Sequence, residues 1–523
     1  MITPDELIQE ANKLANPEPT KKDSAYILES LLAKIRPVNF KALAFEKAEE
    51  MLRRKQALTI ETTLPDGTVD DSKAAELEEI KQITSELESK KLNQKQLLRL
   101  VNEELLRVAR ANGWNLAYRA GKIFVYNCEQ WIDNIDREGF VSYLGKAAER
   151  MGVSKDDARY FEFQEKLIKQ FESVAYRPEA SLPDDTVLIN LRNGTLEITP
   201  EGYELREFRA DDFLTHQLPF IYDPDAKAPL FERFLKVSLP DEESQRVLAE
   251  FFGYIFTRNL KLEKVLFLYG SGRNGKSVVF EIIRALLGAG NMSFYGLASL
   301  TDDKGYHRAM LMNKLVNWAS DVGDRLQSNT FKQLASGEPI ECRLPHQQPF
   351  IMHNVCKFVF NTNTLPIDVE HTNAFFERFL IIPFTQYIKP GDRDPKLAQK
   401  IIQSELPGVL NWVLAGLDRL QDQQGFSECE ASENILKKFR RESDSVALFI
   451  GEMNYQDTSE SNDWTQAKPI YDDYRNFCYA EGLKPVSRQN FHNRVEALGF
   501  TLKTKNVGKV IYMRKFQSNG VQV

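Results

Sequence analysis

The chain has 523 residues, of which 42% are hydrophobic and 27% charged, and a formal net charge of −7. That length allows three or four domains at ~150 residues each, with ordinary globular cores. The negative balance excludes a uniformly basic nucleic-acid coat, so any contact with nucleic acid has to come from local patches.

The first residues, Met1-Ile2-Thr3-Pro4-Asp5-Glu6, are acidic and lack an apolar signal core. No stretch approaches the ~20 apolar residues of a membrane span. Both features point to a cytoplasmic protein with no membrane partner. The five cysteines, Cys128, Cys342, Cys356, Cys429 and Cys478, contain no C-x-x-C pair. That spacing argues against a zinc ribbon and fits single buried thiols in a reducing compartment.

In chain order, residues 1–110 read as a charged helical region, with apolar residues at helical spacing over 25–32 and 87–108. Leu64-Pro65-Asp66-Gly67 marks a turn between them. Residues 111–229 read as a mixed α/β domain, with strands at 122–126 and 186–190 and a hairpin signal at Asn193-Gly194. Residues 230–258 return to helix, with Phe231, Phe234, Leu235, Val247, Phe251 and Ile255 as core positions. Short apolar strands at 264–269, 315–319, 357–360 and 379–384 then alternate with loops and helices, which predicts a parallel or mixed sheet. Helices resume over 395–440, and residues 445–523 form a last module. The fold class is α/β, with a central core spanning 230–444.

Gly270-Ser271-Gly272-Arg273-Asn274-Gly275-Lys276-Ser277 fits the phosphate-binding pattern G-x-x-x-x-G-K-[ST]. Phosphate oxygens need several backbone N–H groups converging on them, and glycine lets the backbone come that close. The helix that follows turns its positive dipole end to the anion. Lys276 is placed for the β- and γ-phosphates, and the Ser277 hydroxyl for magnesium. The context agrees. Val265-Leu266-Phe267-Leu268-Tyr269 is a buried-type strand before the loop, and Val278, Phe280, Ile282, Ile283, Leu286 and Leu287 give an apolar helix face after it. ATP with Mg2+ is the expected ligand.

A nucleoside triphosphatase also needs an acid at the end of a second strand. Leu315-Val316-Asn317-Trp318-Ala319-Ser320-Asp321 supplies Asp321, with Asp324 nearby. A third strand ends at Asn361-Thr362-Asn363, where Asn363 could orient water. Arg378 enters the fourth strand, in Phe375-Phe376-Glu377-Arg378-Phe379.

This order of loop, acidic strand, asparagine-ended strand and arginine resembles the superfamily 3 helicases, most closely the phage, plasmid and poxvirus primase–helicase type. Further motifs carry the resemblance over residues 115–515: Tyr222-Asp223-Pro224-Asp225-Ala226, Phe251-Phe252-Gly253-Tyr254, residues 331–338, and Asn363-Thr364-Leu365-Pro366. It implies an AAA+ ATPase assembling as a ring, usually a homohexamer, around DNA. Lys276, Ser277 and Asp321 would then be the Walker residues, with Ser277 and Asp321 serving the metal. Asn363 would be the sensor, and Arg378 an arginine finger offered to a neighbouring subunit. Two positions depart from the family pattern. Ser320 stands where a second acid is often found, and Glu377 where the finger is often a pair of arginines.

The resemblance also implies that a hairpin within 340–350 projects into the ring channel, with Lys332, Arg343 and His346 as candidates for gripping single strands by charge and stacking. The C-terminal module adds an independent signal. Residues 484–515 carry eight basic residues against the single acid Glu496. Ser487 precedes a helix with Phe491, Val495 and Leu498 on one face, and a basic hairpin turns at Asn506-Val507-Gly508. Helix plus basic hairpin reads as a winged helix, with Arg488, Arg494, Lys503, Lys505 and Lys509 toward duplex or forked DNA. The function expected is a replicative DNA helicase of a phage, plasmid or mobile element. The alternatives are an origin-melting initiator or loader, or the helicase part of a primase–helicase. Primer synthesis needs clustered carboxylates for metal, and Asp70-Asp71 in a loop does not supply them.

Overall fold

The computed structural model describes residues 23–44, 78, 81–82, 85, 92–178, 183, 185–320, 322, 326–345, 348–353, 356–366, 370–461, 463–483 and 485–516. They fall into two compact units. One comprises residues up to 182 with 207–216, and the other 183–206 with residues from 217 onward. The stretch expected as one α/β domain, 111–229, is therefore shared between them. The turn at 64–67 and Asp70-Asp71 lie outside the described residues.

The first unit is mainly helical. Its α1 (Ser24–Lys34) and α2 (Gln94–Ala111) occupy the described parts of the two stretches of helical spacing. Asn93 and Gln96 close a reciprocal capping box at the start of α2, satisfying two backbone donors that the helix leaves open. Leu98, Val101, Leu105 and Ala109 then bury one face. An antiparallel sheet of β1 (Asn115–Arg119), β2 (Lys122–Tyr126) and β3 (Trp131–Ile132) follows, and then α3 (Arg137–Met151) and α4 (Phe161–Val174).

The second unit begins with the antiparallel meander β4 (Val187–Leu191), β5 (Gly194–Thr199) and β6 (Gly202–Arg206). Leu191 pairs with Gly194, so the hairpin signalled by Asn193-Gly194 is present. The helix expected over 230–258 is two helices, α5 (Pro229–Ser238) and α6 (Glu242–Tyr254), because Pro240 cannot continue the first. All six expected core positions are buried. Both carboxylate oxygens of buried Glu405 accept N–H groups at the start of α5, from Leu230 and Phe231 at 3.0 Å each.

The centre of this unit is a five-stranded parallel sheet. Its strands are β7 (Val265–Tyr269), β8 (Met292–Ser293), β9 (Val316–Ala319), β12 (Lys357–Thr362) and β13 (Phe379–Pro383), in the order β13-β7-β12-β9-β8. Between β7 and β8 runs α7 (Lys276–Leu287). Between β9 and β12 come α8 (Ser328–Ser336) and a hairpin of β10 (Ile340–Cys342) and β11 (Phe350–Met352). The helices α9 (Leu397–Ser404), α10 (Leu406–Gln423) and α11 (Glu430–Glu442) follow β13.

The helices α6 and α10 approach backbone to backbone. A Cβ on Gly416 would lie 2.3 Å from the Ala249 carbonyl carbon, and one on Gly253 would lie 2.8 Å from Leu417 Cα. Gly416→Ala is therefore expected to force the two helices apart, at a cost of about 1–3 kcal/mol. The thermal midpoint of the purified protein should fall, and an unchanged midpoint would contradict the packing described.

The C-terminal residues form α12 (Ser445–Glu452), β14 (Tyr455–Asp457), β15 (Thr465–Gln466), α13 (Ala467–Ala480), α14 (Arg488–Ala497), β16 (Leu502–Lys505), β17 (Gly508–Ile511) and β18 (Met513–Lys515). Ser487 caps α14 by accepting the Asn490 N–H, and Lys505 pairs with Gly508 across the expected turn. Phe491 and Val495 are fully buried. Leu498, expected on the same face, is 41% exposed because it sits at the cap, past the last full turn. Among the described residues, no helix is long and apolar enough to cross a membrane.

Candidate nucleotide site

The internal strand β7 buries Val265 to Leu268 almost completely and delivers the chain to Gly270. The loop needs its glycines for two reasons. Gly272 and Gly275 hold φ +98° and +93°, and a Cβ on Gly275 would press within 2.8 Å of Ser238 Cβ and 3.1 Å of the Phe234 ring. A Cβ on Gly270 would meet the Phe384 carbonyl oxygen at 2.3 Å. Arg273 also takes a left-handed conformation, φ 55°.

Asn274, 3% exposed, pins the loop. Its Nδ2 donates to the Phe384 carbonyl at 2.6 Å, tying the loop to the end of β13, and the Ile388 N–H donates to the Arg273 carbonyl at 3.1 Å. Removing the amide leaves a buried carbonyl unpaired and a loop less well held. Asn274→Ala should weaken ATP binding by about tenfold, since the ~1.4 kcal/mol involved is a factor of ten. Titration with a fluorescent ATP analogue would check this, and unchanged affinity would show that the loop holds itself.

Lys276 opens α7 and is 7% exposed. Its Nζ donates to the Gly270 carbonyl at 2.6 Å, to Asn274 Oδ1 at 3.2 Å and to Asn363 Oδ1 at 3.5 Å. Burial lowers its pKa below the ordinary lysine value. The expected loop lysine and the expected asparagine after the third strand therefore meet, although they are 87 positions apart.

A cleft of about 640 Å³ opens over the loop. Gly272, Arg273, Asn274, Gly275, Lys276 and Ser277 line one side, and Ser320, Asn361 and Asn363 stand at the strand ends. The far wall is Ile388, Arg393, Leu397 and Ala398 from the segment after β13. Ser277 and Ser320 supply hard neutral oxygens, which suit a magnesium ion that keeps several of its waters. Asp321, the expected acid at the end of β9, lies outside the described residues, as does Asp324. Ser320 places the end of that strand at the cleft.

Arg378 lies elsewhere. It immediately precedes β13, and β13 runs parallel to β7 with Phe379 opposite Val265 and Pro383 opposite Tyr269. The arginine is thus at one end of these strands and the loop at the other, five residues or about 17 Å apart along the strand. Its side chain is 15% exposed and forms an ion pair with Glu263 at 2.8 Å. It also donates from Nη2 to Ser336 Oγ at 2.9 Å and from Nη1 to the Ala374 carbonyl.

The expected nucleic-acid residues are scattered by the fold. Lys332 on α8 is paired with Glu370 at 2.9 Å. Arg343 follows β10, its N–H donating to the Gly305 carbonyl at 3.3 Å. His346 lies outside the described residues. In the C-terminal module Arg494 is paired with Asp444, the cap of α12, at 3.1 Å. Arg488 lies over the Tyr471 ring at 5.4 Å. Lys503 and Lys505 lie over Tyr512, and Lys505 also over Trp464 at 4.7 Å, while Lys509 is exposed on the same hairpin.

Asn361, Arg393 and Glu263 were not singled out from the sequence. Asn361 alternates with Asn363 at a strand end, which is a readable signal; its Oδ1 accepts from Trp318 Nε1 at 3.1 Å. Arg393, on a loop, and Glu263, before a strand, have no local pattern to mark them.

A parallel sheet with a glycine-rich, lysine-ended loop between an internal strand and a helix is the arrangement of a P-loop core. Comparisons with known proteins place it further. Residues 94–240 match the family described as D5 N terminal like, and residues 268–378 a family of unknown function, DUF5906. A “Putative helicase” of Acanthamoeba polyphaga mimivirus is 24% identical over 301 residues, 53% of this chain and 30% of the relative. A protein of the same description from Invertebrate iridescent virus 3 is 23% identical over 264 residues, 47% of this chain and 28% of the relative. The chain therefore spans under a third of the length of these relatives. The apo C-terminal region of NrS-1 is 13% identical, with a TM-score of 0.46 over 79% of this chain and 98% of that one. The resemblance to the superfamily 3 helicases of the primase–helicase type thus holds, carried by the D5-like region and by distant viral homologues.

Proposed function

We propose that this protein is an ATP-driven DNA helicase of the superfamily 3 type, from a virus or mobile element, working as a ring. The observation that carries the reading is the separation within one sheet. Lys276 and Asn363 meet at one end, and Arg378 sits at the other, out of reach of its own loop. In this reading each end of the sheet carries half of a hydrolytic site, which a neighbouring subunit would complete.

In this reading the loop amides from Gly270 to Gly275 cradle the triphosphate, and Lys276 neutralises its β- and γ-oxygens. Ser277 and Asp321 would hold a magnesium ion that shields the charge between those phosphates. Asn363, bonded to Lys276, orients the attacking water, and Arg378 of the adjacent subunit meets the charge that develops on the transferred phosphoryl group. The ATPase core would run over 230–444, and residues 445–523 would form a winged helix.

Single-stranded DNA would run past Lys332, Arg343 and His346. Lys503, Lys505 and Lys509, backed by Trp464 and Tyr512, would face duplex or forked DNA by phosphate contact and stacking. Arg488 stands ready on α14. Arg494 contributes less, since Asp444 already holds it.

A strand-displacement assay tests the reading. The wild type should separate a forked duplex with ATP, and Lys276→Ala should not. A verified ring that hydrolyses ATP but leaves the fork closed would sink the helicase assignment in favour of a melting or loading ATPase.

A further inference from the structure

Arg378 is held by residues that the reading above gives no task. Glu263, two residues before β7, takes a left-handed backbone, φ 55°. That conformation suits glycine or asparagine better than glutamate. Its carboxylate is spent on two contacts. Oε2 lies 2.8 Å from Arg378 Nη2 and accepts the Ser336 hydroxyl at 2.9 Å. Ser336 in turn accepts from Arg378 Nη2 at 2.9 Å, so the three side chains close a triangle. Nη1 donates to the Ala374 carbonyl, while the buried Nε has no hydrogen-bond partner among the described residues. The triangle joins three separate pieces of chain: the entry to β7, the last residue of α8 and the entry to β13.

We propose that Glu263 is the positioning residue of the Arg378 finger, fixing its guanidinium in the pose that reaches the neighbouring subunit's triphosphate, with Ser336 as the second support. An arginine side chain has many rotamers, and an ion pair with a carboxylate at 2.8 Å favours one of them. A backbone strain tolerated where the side chain holds a reactive group fits that role. The inference rests on the reading of Arg378 as a finger acting in trans.

The test uses the full chain assembled as rings, with Glu263→Ala and Glu263→Gln beside Arg378→Ala. Glu263→Ala should lower kcat for ATP by on the order of 10²-fold, the scale of loss for a misplaced reacting group. KM should stay unchanged, because the loop at the far end of the sheet is untouched. Glu263→Gln keeps an acceptor for Ser336 and should fall between it and the wild type. Ring assembly, checked by size, should persist in both variants. In rings mixed with Lys276→Ala subunits, Glu263→Ala should regain activity, since each partner then supplies the half the other lacks. A merely structural defect would not be rescued in that way.

A kcat for Glu263→Ala within twofold of the wild type, a rise in kcat, or failure of the mixed rings to regain activity, each with Arg378→Ala inactive, overturns the role of Glu263 alone. An active Arg378→Ala ring overturns the finger itself, and the role of Glu263 with it.

Discussion

Replacing Arg378 by alanine is expected to leave ATP bound and unhydrolysed, with kcat lower by roughly 10³–10⁵-fold, the range for loss of an arginine finger. The geometry explains why binding survives. Arg378 is at the entry to β13, and the loop lies beyond the far end of that strand. The substitution also leaves Glu263 exposed enough to be solvated, at 45% of its side-chain surface, so the fold should tolerate it. Nucleotide binding by titration and phosphate release by a coupled assay would separate the two effects. Mixing Arg378→Ala with Lys276→Ala subunits should restore part of the activity, because some interfaces then pair an intact loop with an intact arginine. Verified mixed rings without recovery would count against action in trans.

Lys276→Ala is expected to damage both binding and chemistry. Its ammonium is held by three oxygens, those of Gly270, Asn274 and Asn363, and is almost entirely out of water. A cation in so dry a place acts on phosphate far more strongly than one in solvent. Its loss should lower kcat by on the order of 10²–10³-fold and weaken ATP binding as well. Burial lowers its pKa below the ordinary lysine value. The variant should lose the stabilisation against heat that ATP is expected to give the wild type. A variant still stabilised by ATP to the same extent would show that the triphosphate does not use this lysine.

Much of the core was legible from local pattern. The four strands at 264–269, 315–319, 357–360 and 379–384 lie within two residues of those observed, since each is a short apolar run flanked by polar turns. The capped helix and basic hairpin near the C-terminus were equally local. Leu498 falls off the buried face because a periodic pattern does not say where the last turn frays. The division of 111–229 between two units was invisible, because alternation marks a strand without saying which sheet it joins. The pairing of Lys332 with Glu370 and of Arg494 with Asp444 was hidden for a similar reason. A basic residue looks free until the acid that folds against it is known.

The sequence by itself determined the loop from Gly270 to Ser277, the strand before it and the helix after it. Those depend on glycine conformations and apolar periodicity within a few residues. Only the tertiary structure decided that Asn363 touches Lys276, that Arg393 closes the cleft, and that Arg378 stands at the opposite end of the sheet in the grip of Glu263 and Ser336. These depend on the strand order β13-β7-β12-β9-β8. That order is set by long-range packing of strands against one another, and neighbouring residues carry no record of it.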